Sequence, residues 1–200
     1  MTENGKVNPI TSVPDGQLYD ANYDPRIIEL RMRAKNLCFD YNALRPEESA
    51  ARQALLQQLL GHSGDNTVIE PPFWCDYGAN IRLGDSFYAN HNLVILDGAP
   101  VTIGNNVFIA PNVGLHTAGH PLDAPRRNQG LEFAKGITIG NNVWIGASAV
   151  ILPGVTIGDN SMIAAGSVVN RDIPPGMVAA GNPCRVLRPI SDDDARRCQF

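Results

Sequence analysis

The sequence predicts an all-β fold, a parallel β-helix of hexapeptide repeats, preceded by a small N-terminal helical segment. Aliphatic or small residues recur every six positions over 83–115, with one two-residue slip, and again over 139–169. A second apolar ladder follows four positions behind, as at Val143, Ala149 and Val155. Gly, Asn, Asp and Pro cluster between the ladders, in runs such as IGNN and LPG. Short strands alternating with turns therefore form three-sided coils of about 18 residues, whose edges pair as parallel sheets.

The chain begins with residues 1–17, which we expect to form a flexible arm. A helical segment follows over 18–62. Asp24 and Pro25 have the pattern of an N-cap followed by proline at the first helical position. Pro46 opens a second stretch rich in Ala, Leu and Gln, and Gly61 is the candidate C-cap of that helix.

The predicted β-helix occupies 63–190, and a C-terminal tail covers 191–200. An excursion at 116–136 keeps the six-residue register but lacks the ladder in its middle. Long polar loops on a rigid scaffold usually carry function, although a solvated loop without chemistry is the alternative. An antiparallel sandwich would show irregular spacings of about 8–12 residues, which the regular ladder disfavours.

Composition limits the class of protein. The formal charge of −4 argues against a nucleic-acid partner. The N-terminus has no apolar signal-peptide core, and no apolar run is long enough to span a membrane. The sequence therefore predicts a cytoplasmic protein that binds neither membranes nor nucleic acid. The cysteines are far apart and are expected to be reduced thiols: Cys38, Cys75, Cys184 and Cys198.

Several motifs resemble one family. The GHP of the excursion, FYAN, GNNVWIG and AGNPCR together are similar to hexapeptide-repeat sugar O-acetyltransferases of the maltose/galactoside acetyltransferase family. CDYG and the loop APRRN look closer to the maltose type, and the resemblance covers about Leu18 to Ile190. It implies a left-handed β-helix and a homotrimer with active sites between subunits. The implied reaction moves an acetyl group from acetyl-CoA directly to a sugar hydroxyl, usually the 6-hydroxyl, with no metal required.

This chemistry needs a proton acceptor, because an alcohol at neutral pH is a poor nucleophile for a thioester. Histidine has a suitable pKa. His120, in Gly-His-Pro, matches the catalytic position of the family and is the predicted general base. Either Glu132 or the backbone could orient its ring. His62 looks like a surface or capping residue, and His91 lies on a coil corner.

The resemblance also implies contacts to the acceptor sugar. Asn90 of FYAN has an amide that can both donate to and accept from a hydroxyl, although a corner asparagine with positive φ is the structural alternative. Asp76 replaces a sugar-contacting serine of the galactoside enzymes. Asp97 is a weaker candidate, because the family contact lies at the next position, Gly98. The other candidate acceptor residues are Tyr88, Trp144 and, on a loose alignment, Asp20.

Acetyl-CoA has phosphates that cations should meet, and arginine grips phosphate bidentately. Ala147 stands where galactoside enzymes have a serine, so a backbone N–H would polarise the thioester carbonyl there. Solvated surface cations are the alternative reading for the arginines. The full set of predicted acetyl-CoA contacts is Trp144, Ala147, Ala165, Asn170, Arg171, Arg185 and Arg188.

Three rival functions use the same fold. Carbonic anhydrases of the γ type hold zinc with three histidines, and His91, His116 and His120 supply that number at spacings that match poorly. A different acetyltransferase, of the xenobiotic or serine type, is a second rival, which the helical leader with LYDANYDPR disfavours. A non-catalytic scaffold is the third, and the intact GHP argues against it.

Overall fold

The computed structural model describes residues 16–196, so most of the predicted arm and the last four residues of the tail, including Cys198, lie outside it. Strand β1 (Tyr19–Asp20) is followed by helices α1 (Pro25–Ala43) and α2 (Ser49–Leu59). The predicted start of α1 is confirmed, because Asp24 accepts a hydrogen bond from the backbone N–H of Arg26 and Pro25 opens the helix.

Helix α2 lies in the predicted stretch rich in Ala, Leu and Gln, but the roles expected for Pro46 and Gly61 at its two ends are wrong. The helix begins at Ser49 rather than Pro46, because the Glu48 side chain accepts from the backbone N–H of Arg45 and closes a separate turn. Gly61 is not a left-handed C-cap. It enters the first coil, where a Cβ would lie 2.2 Å from the carbonyl oxygen of Ala79. Glycine is needed at this position because two backbones approach closely.

Three parallel sheets form the sides of the β-helix. The first contains β2 (His62–Ser63), β5 (Ile81–Leu83), β8 (Val101–Ile103), β13 (Ile137–Ile139) and β16 (Thr156–Ile157). The second contains β3 (Val68–Ile69), β6 (Tyr88–Ala89), β9 (Phe108–Ile109), β14 (Trp144–Ile145) and β17 (Met162–Ile163), extended by β19 (Met177–Ala180) and β20 (Arg185–Pro189). The third contains β4 (Phe73–Cys75), β7 (Leu93–Leu96), β10 (Gly114–His116), β15 (Val150–Ile151) and β18 (Val168–Val169).

The ladders fill the core as predicted. Ile103 pairs with Ile139, and Ile139 with Ile157, and all three side chains are buried. The later coils step by 18 residues, but Val68 pairs with Tyr88 and Tyr88 with Phe108, which is a step of 20. The two extra residues of the early coils widen the corner between the third and first sheets. That corner carries Asp76 in one coil and Asp97 in the next.

The corners explain the repeated IGNN motif. Asn106, Asn142 and Asn160 have positive φ, as predicted for corner asparagines. The preceding residues form a ladder in which the backbone N–H of Asn141 donates to Asp159 Oδ1 at 2.7 Å. At Gly140 a Cβ would lie 2.1 Å from that same oxygen. Glycine, a side-chain acceptor and a positive-φ residue are therefore needed in this order.

The two ends of the β-helix are closed differently. At the N-terminal end, the Asn42 amide pairs with both backbone groups of Phe73, accepting at 2.8 Å and donating at 3.0 Å. Nearby, the thiols of Cys38 and Cys75 lie 3.7 Å apart, both unoxidised. At the C-terminal end, β20 pairs antiparallel with β19. In residues 16–196, no helix is long and apolar enough to cross a bilayer.

Candidate active site

The excursion folds onto the N-terminal segment. It contains β11 (Ala118–Gly119), the short helix α3 (Ala124–Arg127) and β12 (Leu131–Ala134). Strand β12 pairs antiparallel with both β11 and β1, which forms a three-stranded sheet at the corner between the third and first sheets. A Cβ at Gly119 would lie 2.6 Å from the Phe133 ring, so glycine allows this close pairing. His120 directly follows β11.

His120 has the geometry of a general base. Its Nδ1 lies 3.1 Å from the carbonyl oxygen of Leu131, which can only accept, so we assign the ring proton to Nδ1. Nε2 then carries the lone pair and lies 3.8 Å from Glu132 Oε1. The side chain is 49% exposed, which leaves Nε2 accessible to a hydroxyl group that donates a proton. The backbone therefore orients one face of the ring, and Glu132 faces the other nitrogen.

Acidic and phenolic groups interact with Glu132, the carboxylate beside this histidine. The Tyr19 hydroxyl donates to Glu132 Oε2 at 3.2 Å. Burial raises the pKa of Asp76 to about 6, and the charge of Glu132 adds to that effect, while Arg31 and Lys35 of α1 oppose it. The cluster offers carboxylate acceptors beside the base, which suits a ligand that presents hydroxyl groups.

Asp97 has a supporting position rather than a contact position. Its side chain is fully buried, and Oδ1 accepts from the backbone N–H groups of Asp76 at 3.0 Å and Tyr77 at 2.9 Å. Oδ2 accepts from the N–H of Asn80 at 3.3 Å. Burial raises the pKa of Asp97 to about 7, although these N–H groups act in the opposite direction. Asp97 therefore holds the turn that carries Asp76.

Asp20 lies beside this cluster in β1, paired with Leu131. Its Oδ1 accepts from the backbone N–H groups of Asn22 at 3.1 Å and Tyr23 at 2.8 Å. These bonds shape the turn into α1. The second carboxylate oxygen, Oδ2, takes no part in them.

Asn90 lies at another corner, between the second and third sheets. Its Oδ1 accepts from the backbone N–H of His91 at 2.7 Å. The positive-φ residue of this corner is Asn92, not Asn90, so the structural alternative for Asn90 does not hold. Tyr88 pairs in register with Phe108, which pairs with Trp144, so aromatic side chains line the outer face of the second sheet.

The corner of Asn90 and the corner of His120 are separated within one chain. Strand β7 runs between them, and at about 3.3 Å per residue its four residues span about 13 Å. The chain therefore brings Glu132 close to His120, with Tyr19 bonded to that carboxylate and Asp76 influenced by its charge, but places Asn90 and Trp144 on a different edge.

The predicted acetyl-CoA contacts are divided between two corners, since Ala147 and Ala165 lie at the corner equivalent to that of Asn90, whereas Asn170 and Arg171 follow β18 at the corner between the third and first sheets. Ala147 and Ala165 stack in successive coils, where the N–H of Gly166 donates to the carbonyl of Ala147. Asn170 accepts from Arg185 at 3.3 Å, and Arg171 is exposed. Arg188 forms a bidentate ion pair with Asp194, at 2.7 Å for both bonds, so a phosphate there would have to displace that carboxylate.

The histidines of the zinc hypothesis do not meet within the chain. Nδ1 of His91 contacts the carbonyl of Pro71, and the His116 ring covers Gly114 on the third sheet. His62, predicted as a surface or capping residue, lies exposed on β2. Across residues 16–196, no group of three or more His, Cys, Asp or Glu side chains could hold a metal ion.

Comparison with known proteins identifies the family. A model described as maltose acetyltransferase hexapeptide capping motif matches residues 15–64, and one described as bacterial transferase hexapeptide (six repeats) matches 136–171. Galactoside O-acetyltransferase of Escherichia coli is 52% identical over 83% of this chain and 82% of its own length. The chain belongs to the maltose and galactoside O-acetyltransferase family. A Saccharomyces cerevisiae protein, provisionally named as an acetyltransferase, is 59% identical over 96% of this chain and 97% of its own.

Solved structures agree with this assignment. A galactoside acetyltransferase in complex with coenzyme A superposes with a TM-score of 0.89 at 48% identity, covering 92% of each chain. A maltose O-acetyltransferase of Clostridium difficile superposes with a TM-score of 0.86 at 46% identity, covering 88% of this chain and 94% of its own. The predicted left-handed parallel β-helix with an N-terminal helical segment is confirmed.

Sequence reasoning missed one part of this O-acetyltransferase site. Tyr19 bonds to a residue 113 positions away, and no local pattern indicates that pairing. The one local signal is the LYD triplet before α1, which is a feature of the family's helical leader. Of the two options for orienting His120, the backbone carbonyl of Leu131 makes the hydrogen bond to the ring, and Glu132 lies 3.8 Å from the other nitrogen.

Proposed function

We propose that the protein transfers the acetyl group of acetyl-CoA to a sugar hydroxyl, the 6-hydroxyl of maltose, glucose or a galactoside, with His120 as the general base. The single observation that carries this proposal is the bond from Nδ1 to Leu131, which leaves Nε2 ready to accept a proton. The proton of the sugar hydroxyl moves to Nε2 of His120 while the hydroxyl oxygen bonds to the thioester carbon. The coenzyme A thiolate then leaves and takes that proton, so no acetyl-enzyme forms.

The acceptor would be held mainly by carboxylates. Glu132 lies close to His120 and interacts with the charge of Asp76, both carboxylates can accept from sugar hydroxyls, and Asp20 is paired with Leu131 in the adjacent strand. Asn90 and Tyr88 would complete the site from the other corner. Titration of Asp76 near pH 6 would make acceptor binding weaker at lower pH.

Acetyl-CoA would lie along the corner that carries Asn90. Trp144 offers an exposed aromatic face, and the backbone N–H groups of Ala147 and Ala165 would donate to the ligand in successive coils. The phosphates would meet cations at the C-terminal end, where Arg171 is exposed. The remaining proposed contacts there are Asn170, Arg185 and Arg188.

We also propose that the active protein is a homotrimer whose sites lie between subunits. The separation of His120 from Asn90 within one chain supports this assembly, because a neighbouring copy would bring the two corners together. The second sheet also exposes an apolar column to solvent, in which Val68, Phe108 and Trp144 are each more than 40% exposed. A column of that kind is typical of surfaces covered by another subunit.

The proposed organisation follows the sequence boundaries. Residues 18–62 would cap the domain at 63–190, the excursion at 116–136 would supply the base, and 1–17 and 191–200 would form the arm and the tail. We expect the protein to act in the cytoplasm on small molecules.

The test is coenzyme A release over glucose, maltose, galactosides, amino sugars and small xenobiotics. His120→Ala should lower turnover by about 10²–10⁴-fold, because the alcohol loses its base, while acetyl-CoA binding stays unchanged. His62→Ala, an exposed histidine on β2, is the matched control. Near-normal turnover of His120→Ala would show that His120 is not the general base. Faster turnover of a xenobiotic or of serine than of any sugar would show that the acceptor is not a sugar.

A further inference from the structure

Tyr19 is fixed between two parts of the molecule that are distant in sequence. It lies in β1 directly opposite Glu132 of β12, and its side chain is only 7% exposed. The hydroxyl donates to Glu132 Oε2 at 3.2 Å. The other oxygen of the same carboxylate, Oε1, lies 3.8 Å from Nε2 of His120.

Gly98 provides the space for this hydroxyl. A Cβ built on Gly98 would lie 3.0 Å from the Tyr19 hydroxyl oxygen, 3.3 Å from the Cβ of Ala134 and 3.5 Å from that of Ala118. Any larger residue at 98 would press on the phenol or on the strands of the excursion. Gly98 therefore leaves the space that the Tyr19 hydroxyl occupies beside Ala118 and Ala134.

The surroundings keep this phenol protonated. Burial raises the pKa of Tyr19 far above its ordinary value, and the negative charge of Glu132 raises it further. A phenol that stays protonated remains a donor to the carboxylate throughout the pH range in which histidine titrates. Asp76 and Tyr77 from the neighbouring corner face the same cluster, and Arg31 and Lys35 of α1 act on Asp76.

We propose that Tyr19 is a positioning residue for acetyl transfer, which fixes Glu132 so that Oε1 stabilises the imidazolium formed at His120. This inference rests on the proposed function, because it assumes that His120 takes the acceptor proton. When the proton moves from the acceptor hydroxyl to Nε2, a positive charge appears 3.8 Å from Oε1. A carboxylate held in place at that distance favours the charged form.

If Tyr19 had a purely structural role, removing its hydroxyl would have little effect. The backbone pairing of β1 with β12 would hold the strands together without the hydroxyl. Tyr19→Phe keeps the ring, its packing and the strand pairing, and removes only the bond to Glu132. Tyr23→Phe is a matched control, because Tyr23 belongs to the same segment and is 68% exposed.

The test compares Tyr19→Phe, Glu132→Gln and the double variant by kcat, KM for both substrates and the pH profile of kcat. We expect Tyr19→Phe to lower kcat about tenfold, with an unchanged KM for acetyl-CoA and an unchanged melting temperature. The acid limb of the profile should move to lower pH, because a less stabilised imidazolium loses its proton more readily. In the Glu132→Gln background, Tyr19→Phe should leave kcat almost unchanged.

Normal kcat and a normal pH profile in Tyr19→Phe, beside an active wild type, would overturn this inference alone. An equal loss in the Glu132→Gln background would also overturn it, because Tyr19 would then act by another route. A wild-type protein that transfers no acetyl group to any acceptor would instead contradict the proposed function, and this inference with it.

Discussion

Asp97 makes the stability of the protein depend on pH in an unusual direction. Its pKa in the folded protein is about 7, whereas an unfolded aspartate titrates near 4. Between these values the folded protein holds a proton that the unfolded chain has released. The free energy of unfolding therefore falls as pH rises from about 4 to 7. Above pH 7 Asp97 is ionised in both states, and the stabilisation from its bound proton is lost. Asp76, with a pKa of about 6, acts in the same direction.

Asp97→Asn should remove most of this dependence, because the amide cannot ionise. Between pH 5 and pH 7 the wild type should lose about 2 kcal/mol more than the variant in the free energy of unfolding. Urea unfolding at these two pH values measures the difference. Asp40→Asn, an exposed aspartate of α1, should behave like the wild type. Parallel pH dependences in Asp97→Asn and the wild type would show that Asp97 does not titrate in this range.

Gly140 shows why a single residue type recurs at the corners. Gly140→Ala would place a methyl group against Asp159 Oδ1 and break the ladder of side-chain acceptors. We expect a loss of about 1–3 kcal/mol in the free energy of unfolding, the usual cost of overpacking. Thr138→Ala, at an exposed position of strand β13 just before this corner, should change stability by about 0.5 kcal/mol or less. Equal stability of the two variants would mean that the corner adjusts freely.

Among the elements, α1 closes the open edge of the first coil, and Asn42 supplies two of the hydrogen bonds that do so. Asn42→Ala would leave the backbone N–H and carbonyl of Phe73 without their partner. The expected loss is about 2–4 kcal/mol in chemical unfolding, because two partly buried backbone groups lose their bonds. Asn42→Asp should lose an intermediate amount of stability, because it keeps the oxygen that accepts from the N–H of Phe73. Asn36→Ala, exposed on the same helix, is the control, and an equal effect there would show that the pairing is unimportant.

Elements governed by local pattern could be predicted from the sequence, and those governed by distant contacts could not. The ladder through Ile139 and the corner at Asn142 repeat every coil, so neighbouring residues reveal them. The start of α2 and the role of Gly61 depend on a side chain of the preceding turn and on a neighbouring coil. The same holds at the site, where GHP indicated His120 but nothing local indicated Tyr19.

At the scale of the whole molecule, a site shared between subunits can be tested by mixing two inactive variants. His120→Ala and Asn90→Ala should each be poorly active alone. In mixed trimers some interfaces would combine an intact His120 with an intact Asn90, and random assembly makes these about a quarter of all sites. Co-expression followed by coenzyme A release should recover activity of that order. No recovery, with mixed trimers shown by mass, would place both residues in the same subunit.

The stacking of coils has a consequence for the length of the ligand. Each coil advances the structure by one interstrand spacing, about 4.8 Å. From Trp144 to Met162 is one such step, and from Met162 to Val178 is another. In the proposed binding mode, the number of coils between Trp144 and the arginines therefore sets the distance that acetyl-CoA must span. Lengthening the solenoid by one full repeat between β15 and β16 would preserve every packing rule of the fold and still leave the thioester and the phosphates out of step with their contacts.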